Sequence, residues 1–156
     1  MVLPWPREEC DGSMNTFAKC TENQILAFEK KHHVRIPDCY KLFLTKINGA
    51  ILEEGVSIPV PSTSETICVD TVYGLGPGNQ WIDMDYWHER HGDELPPGTL
   101  IIGNDVLTGF LLILDIPEAR GVYYWDDKLN FAESTAESNC YYICDSVEEY
   151  LKMLLA

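Results

Sequence analysis

The sequence predicts an α+β fold, with antiparallel strands set between helices near its two ends. Three observations carry this. Two capped, amphipathic stretches occupy residues 21–49, short apolar runs separated by brief turns fill residues 99–125, and a third capped stretch closes the chain from Ser146. Helices, then neighbouring strands, then a helix is the α+β order. Short turns favour antiparallel pairing, because parallel strands need long crossovers.

Residues 1–20 read as an irregular lead-in to one domain spanning 1–156, since Pro4, Pro6 and Gly12 interrupt them and no periodicity emerges. Thr21-Glu22-Asn23-Gln24 is a capping box, in which Thr21 accepts from the Gln24 amide and Gln24 reaches back. The helix it opens is predicted to run to about His33, because Ile36 precedes Pro37 and is pushed out of the α region. Pro37 suits the first turn of a second helix. There Tyr40, Phe43, Leu44 and Ile47 recur at i, i+3, i+4 and i+7 as a core-facing stripe. Asn48-Gly49 supplies the left-handed stop.

Residues 50–65 contain Gly55, Pro59, Pro61 and a Ser/Thr run, so mostly loop with short extended pieces is expected. Thr66 to Tyr73 is rich in β-branched residues and predicts a strand. Gly74 to Asn79 is turn chemistry. Trp81 to His91 is ambiguous, although Met84, Trp87, His88 and His91 keep helical spacing and Gly92 would end a helix. After the break at Pro96-Pro97-Gly98, strands are predicted at Thr99–Ile102, Phe110–Leu114 and Val122–Trp125, with a further one around Tyr141–Cys144. Ser146-Val147-Glu148-Glu149 is another capping box, followed by an apolar stripe of Val147, Tyr150, Leu151 and Leu154.

Composition narrows the function. Hydrophobic residues make up 46% and charged residues 23%, which is the globular norm and excludes a disordered or fibrous chain. The net charge is −14. Such a charge repels nucleic-acid phosphates and anionic membranes and attracts basic partners. Its distribution is uneven: residues 19–46 carry six Lys and Arg against three Asp and Glu, a net of +3, which leaves −17 for the remainder. Six cysteines without C-x-x-C spacing, behind an N-terminus with no signal-peptide pattern, predict free thiols in a cytoplasmic protein. The apolar runs, such as Phe110 to Leu114, are too short to span a bilayer.

Motifs for catalysis are weak. His88 and His91 would share a helix face near Asp83, Asp85 and Glu89, but His-Glu-x-x-His spacing is missing and no second cluster offers further ligands. No metal and no cofactor are expected, and the pair is read as part of a solvated polar face. Gly74-x-Gly-x-Gly lacks the further residues of a phosphate loop, and Pro77 removes an amide donor. There is no Gly-x-Ser-x-Gly elbow, and the cysteines read as buried and structural.

Binding has better support. Trp81, Tyr86 and Trp87 are interleaved with Asp83, Asp85 and Glu89, and Trp125 is followed by Asp126 and Asp127. Aromatics are enriched in binding hot spots, and carboxylates around them select a basic partner. Trp81, Asp83, Asp85, Trp87, Glu89, Asp126 and Asp127 are therefore the candidate partner-binding residues. The other reading, aromatics in the core with carboxylates on the wet side, stays open.

Three stretches together resemble the SUKH superfamily, which includes the Smi/Knr-type domain of cell-wall assembly regulators. Ile36-Pro37-Asp38-Cys39-Tyr40, with Phe43, Leu44 and Asn48-Gly49, is similar to the family's Leu-Pro-x-x-Tyr…Phe…Asn-Gly block. Leu100 to Asp105 and Gly109 to Asp115 resemble its apolar strand, Gly-Asp/Asn-Asp, Gly and second apolar strand. Gly121 to Asp127 and the closing helix from Ser146 complete the order, over roughly residues 21–155. Phe110 stands where the family often has Asp. The resemblance implies a central antiparallel sheet with helices packed around it and no enzymatic activity. It implies a protein partner: either a toxin, often a nuclease, neutralised by an immunity protein, or a cellular partner of a regulatory scaffold. An immunity protein binding a basic toxin in the cytoplasm is the leading expectation. A regulatory interaction domain is the alternative, and a small hydrolase or metalloenzyme ranks last.

Overall fold

A computed structural model describes residues 17–155 of the chain. The predicted lead-in up to residue 16, with Cys10, lies outside the described residues, as does Ala156. The elements follow the order α1 (Glu22–His32), α2 (Asp38–Lys46), β1 (Ala50–Pro59), β2 (Thr66–Val72), α3 (Met84–His91), β3 (Leu100–Asp105), β4 (Phe110–Ile116), β5 (Ala119–Trp125), β6 (Cys140–Cys144) and α4 (Val147–Leu155). The strands form one six-stranded sheet in the order β1-β2-β3-β4-β5-β6, every neighbour antiparallel. The fold is the α+β class that the sequence predicts.

The start signal of α1 acts as read, whereas at Ser146 the hydroxyl accepts from the Glu149 amide but the Glu149 side chain accepts from the Asp145 amide. The Thr21 side chain accepts from the Gln24 amide and the Gln24 side chain from the Thr21 amide, and His33 closes α1 with φ 55°. Tyr40, Phe43, Leu44 and Ile47 are all buried. The Tyr40 hydroxyl donates to the carbonyls of Tyr73 and Ile102, which ties α2 to the adjoining β2 and β3 segments. In β4, four of the residues from Phe110 to Leu114 are buried and Ile113 is half-buried. An apolar run of this kind marks a strand covered on both faces.

Residues 50–65 differ from the expected loop, because β1 runs through ten of them. The glycine and proline that suggest a loop each have a place in a strand. Gly55 sits at φ 69° in an irregularity between the paired residues Ile51 and Val56, where a Cβ would stand 2.4 Å from the Cys68 sulfur. A bulge of this kind uses glycine without ending the strand. Pro59 ends an edge strand, where a missing N–H is tolerated.

Truncating Phe43 to Ala is expected to lower stability by about 3–5 kcal/mol. Thermal or denaturant melting checks this, and a loss well under 1 kcal/mol would contradict the packing of α2 described above.

Candidate functional site

The short segment between β2 and α3 fixes the most exposed large side chain of the molecule's aromatic surface. Asn79 accepts from the Trp81 amide at 3.0 Å, and the Trp81 carbonyl accepts from the Trp87 indole Nε1 at 2.9 Å. The Trp81 backbone is thereby held from both sides while its side chain stays 57% exposed. Its ring meets Tyr86 edge-on at 5.5 Å and Trp87 at 6.3 Å. Arg90 lies 5.2 Å above the Tyr86 ring, a cation–π arrangement.

Trp87 is half-buried and joins this surface to the core. It stacks on Tyr73 at 6.0 Å and on His91 at 6.1 Å, and leans on Phe110 at 5.4 Å. Phe110 and His91 in turn contact Trp125, at 5.5 and 5.8 Å. A continuous row of rings therefore runs from exposed Trp81 to Trp125 at the end of β5. The two tryptophans that the sequence leaves open divide: Trp81 faces solvent and Trp87 braces it.

The carboxylates of this stretch have partners within the chain. Asp83 is the N-cap of α3 and accepts from the Asp85 amide at 3.0 Å. Partial burial, followed by the nearby charges of Asp85 and Glu89, holds its carboxyl above the usual range despite hydrogen bonds from the Asp85 and Gly76 amides. Asp85 pairs with Lys31 at 3.1 Å and with His32 at 2.7 Å. Burial pushes its carboxyl up, but hydrogen bonds from His32 and Lys31 outweigh this and leave it below the ordinary range. Lys31 also pairs with Glu89. The basic segment of α1 thus meets the acidic stretch of α3, a pairing for which the +3 charge of residues 19–46 was the available signal.

Asp126 and Asp127 separate. Asp127 is half-buried beside Lys128 at 3.2 Å. Asp126 is expected at a partner surface but is 0% exposed. It accepts from the Asn130 amide at 2.9 Å, the Phe131 amide at 2.8 Å and the Ser134 hydroxyl at 2.6 Å. An inward carboxylate carrying three donors organises its own loop and is not available to a partner.

His88 also departs from the expected solvated face. It is 5% exposed, and its Nε2 accepts from the Ile101 amide at 2.9 Å. Phe28 and His32 rings pack on it at 5.1 and 5.2 Å. That hydrogen bond requires the neutral Nδ1–H tautomer, and burial together with the nearby His32 depresses the ring to about 3. Among the described residues no group of three His, Cys, Asp or Glu side chains is placed to hold a metal ion. Burial pushes the Cys20 and Cys144 thiols up to about 11, so both are protonated and weakly nucleophilic at neutral pH. An open groove between the α1–α2 connection, the β4–β5 hairpin and the start of α4 carries Glu29, Asp115 and Asp145 against His33, Arg35 and Arg120. None of the sequence-predicted residues lines it. No helix among the described residues is long and apolar enough to cross a membrane.

Sequence reasoning missed Tyr73, His91 and Phe110 as parts of the site. Tyr73 follows β2, His91 ends α3 and Phe110 begins β4, and only the fold brings them against Trp87.

The model of the SMI1 / KNR4 family (SUKH-1) matches residues 19–153. The chain belongs to this family. No curated protein and no solved structure matches it. Phe110, at the start of β4, lies against both Trp87 and His91 of α3.

The pH dependence of stability follows from His88. Its folded pKa lies below that of the unfolded chain, so the unfolded state takes up the proton first. The contribution is complete above about 6.5 and is lost as pH falls toward 3, by up to about 1.4 kcal/mol per pH unit. Denaturant titrations between pH 7 and 5 are expected to show this slope in the native sequence and a much shallower one in His88→Gln, which keeps an acceptor but does not titrate. Equal slopes would contradict the buried neutral ring.

Proposed function

We propose that this chain is a non-enzymatic, protein-binding domain whose docking surface is the α3 face around Trp81, and that it acts as an immunity protein for a basic, nuclease-type toxin. The carrying observation is Trp81. A large aromatic side chain, 57% exposed on a backbone fixed by two hydrogen bonds, loses little conformational entropy when a partner covers it. The charge supports the choice of partner. Between residues 47 and 119 there are twelve Asp and Glu against the single Arg90. Lys31 offsets part of this at Asp85 and Glu89, and the remaining field draws a basic protein in and speeds its arrival. Family membership supports action through binding, and a toxin with a phosphate-binding cleft supplies the matching positive surface.

The test is a growth assay. The product of the neighbouring open reading frame is expressed with and without this chain, and the purified pair is titrated by calorimetry. Relief of toxicity with a stable complex is expected. A product that binds without being toxic would favour the regulatory interaction domain instead. Absence of both binding and relief would contradict the proposal.

Within that complex, Trp81→Ala is expected to weaken affinity by about 2 kcal/mol or more, roughly 30-fold, with melting unchanged. Trp87→Ala is expected to lower melting, because its ring supports Tyr73, His91 and Phe110. Unchanged affinity in Trp81→Ala would place the docking surface elsewhere.

A further inference from the structure

Beyond the α3 face, two loops meet at the end of the sheet where Phe110 begins β4 and Trp125 ends β5. Each is organised by a buried aspartate. In the β3–β4 turn, Asp105 is 1% exposed and accepts from the Gly109 amide at 2.9 Å and the Tyr124 hydroxyl at 3.2 Å. In the β5–β6 loop, Asp126 holds Asn130, Phe131 and Ser134 as described. The loops are tied together where the Asn130 side chain donates to the Leu107 carbonyl at 3.4 Å.

What these two anchored loops display is apolar. Val106, Leu107 and Leu129 are 52%, 54% and 43% exposed, half of the exposed large hydrophobics in the described chain. Leu129 is the least expected, because its φ is 55°, a left-handed backbone that disfavours leucine. Glycine or asparagine would serve that turn better, and the side chain recovers little by burial. Neither local conformation nor the core explains a leucine there. An outlier held in place by a rigid surround is a ground for inferring function. The same β5–β6 loop carries Asp127 and the exposed Glu133 and Glu137 against one lysine, Lys128.

We infer that Val106, Leu107 and Leu129 form a second docking surface, which takes an apolar side chain flanked by Lys or Arg on a basic protein partner. The acidic rim selects the basic flanks and the leucines cover the apolar centre, the anatomy of a small interface with a dry core and a polar rim. A second copy of this chain is disfavoured as the occupant, since each copy carries −14. The inference deepens the proposed function by naming a further contact, and it shares with that reading only the basic character of the partner.

The probes are two ten-residue peptides, one alternating Leu with Lys and one alternating Leu with Glu, titrated into the full chain and followed by amide chemical shifts. The lysine peptide is expected to perturb residues 105–110 and 126–134, and the glutamate peptide to perturb neither. The Leu107→Ser, Leu129→Gly double variant is expected to bind the lysine peptide at least tenfold more weakly. Leu129→Gly alone is expected to melt at the same temperature or higher, since glycine adopts this φ freely. Trp81→Ala is expected to leave peptide binding at these loops intact, so failure here and failure of the α3 reading are separable. Perturbations spread over the acidic surface, undiminished binding in the double variant, a lower melting temperature in Leu129→Gly, or concentration-dependent shifts at these loops without peptide would each overturn the inference.

Discussion

The side chain of Asn48 is the contact on which the placement of the site depends. It is fully buried, with φ 62°, just beyond the end of α2. Its amide nitrogen donates to the carbonyls of Leu75 and Ala18, and its oxygen accepts from the Leu75 amide at 2.7 Å. This clamps the segment after β2 against α2. Gly74 makes the approach possible, since a Cβ there would lie 2.3 Å from the Asn48 carbonyl oxygen. From Gly74 the order continues outward: its amide donates to Ile82 at 2.8 Å and its carbonyl accepts from Met84 at 2.9 Å. Those two bonds flank Asp83, the N-cap of α3, and so set the helix that carries Trp87 beneath Trp81. A polar group buried without its partners costs about 1–3 kcal/mol, so the clamp is specific as well as strong.

On that frame, the aromatic row and the charges have separate tasks. The rings from Trp81 to Trp125 combine an exposed end with a supported one, so the exposed end is rigid. The carboxylates nearest to them cap α3 or pair with α1, and these exposed pairs contribute little to stability. Their larger effect is on the charge around the site, where Asp83, Asp85 and Glu89 outnumber Lys31 and Arg90. Buried aspartates serve the loops in the same way as Asn48 serves the α3 entry: Asp105 and Asp126 each turn inward to shape a turn whose outer face is apolar.

Much of the architecture was legible in the sequence because local signals agreed with the tertiary fold. The Thr21 and Ser146 caps, the Tyr40–Ile47 stripe and the apolar runs of β3 to β5 each have one physical solution. The β1 strand was not legible, since Gly55 and Pro59 satisfy requirements set by Cys68 and by the sheet edge, which no local pattern reveals. The stretch from Trp81 to Glu89 stood out as aromatic and acidic. Which tryptophan is exposed, and that Lys31 and His32 meet Asp85, depend on the packing of α1 beside α3. Asp126 misled for a related reason: an aspartate beside a tryptophan looks the same in sequence whether it faces water or caps three donors. Val106, Leu107 and Leu129 gave no sequence signal at all, because exposure and a positive φ are properties of the folded loops.

The central claim, that Asn48 positions the α3 aromatic face through Gly74, is tested most directly by amide hydrogen exchange in Asn48→Ala. The account predicts faster exchange at Gly74, Leu75 and Met84, spreading into α3, while the paired amides of β4 and β5 keep their protection. Unchanged exchange from residue 74 to 84, or a uniform acceleration across the sheet with no excess there, would contradict it.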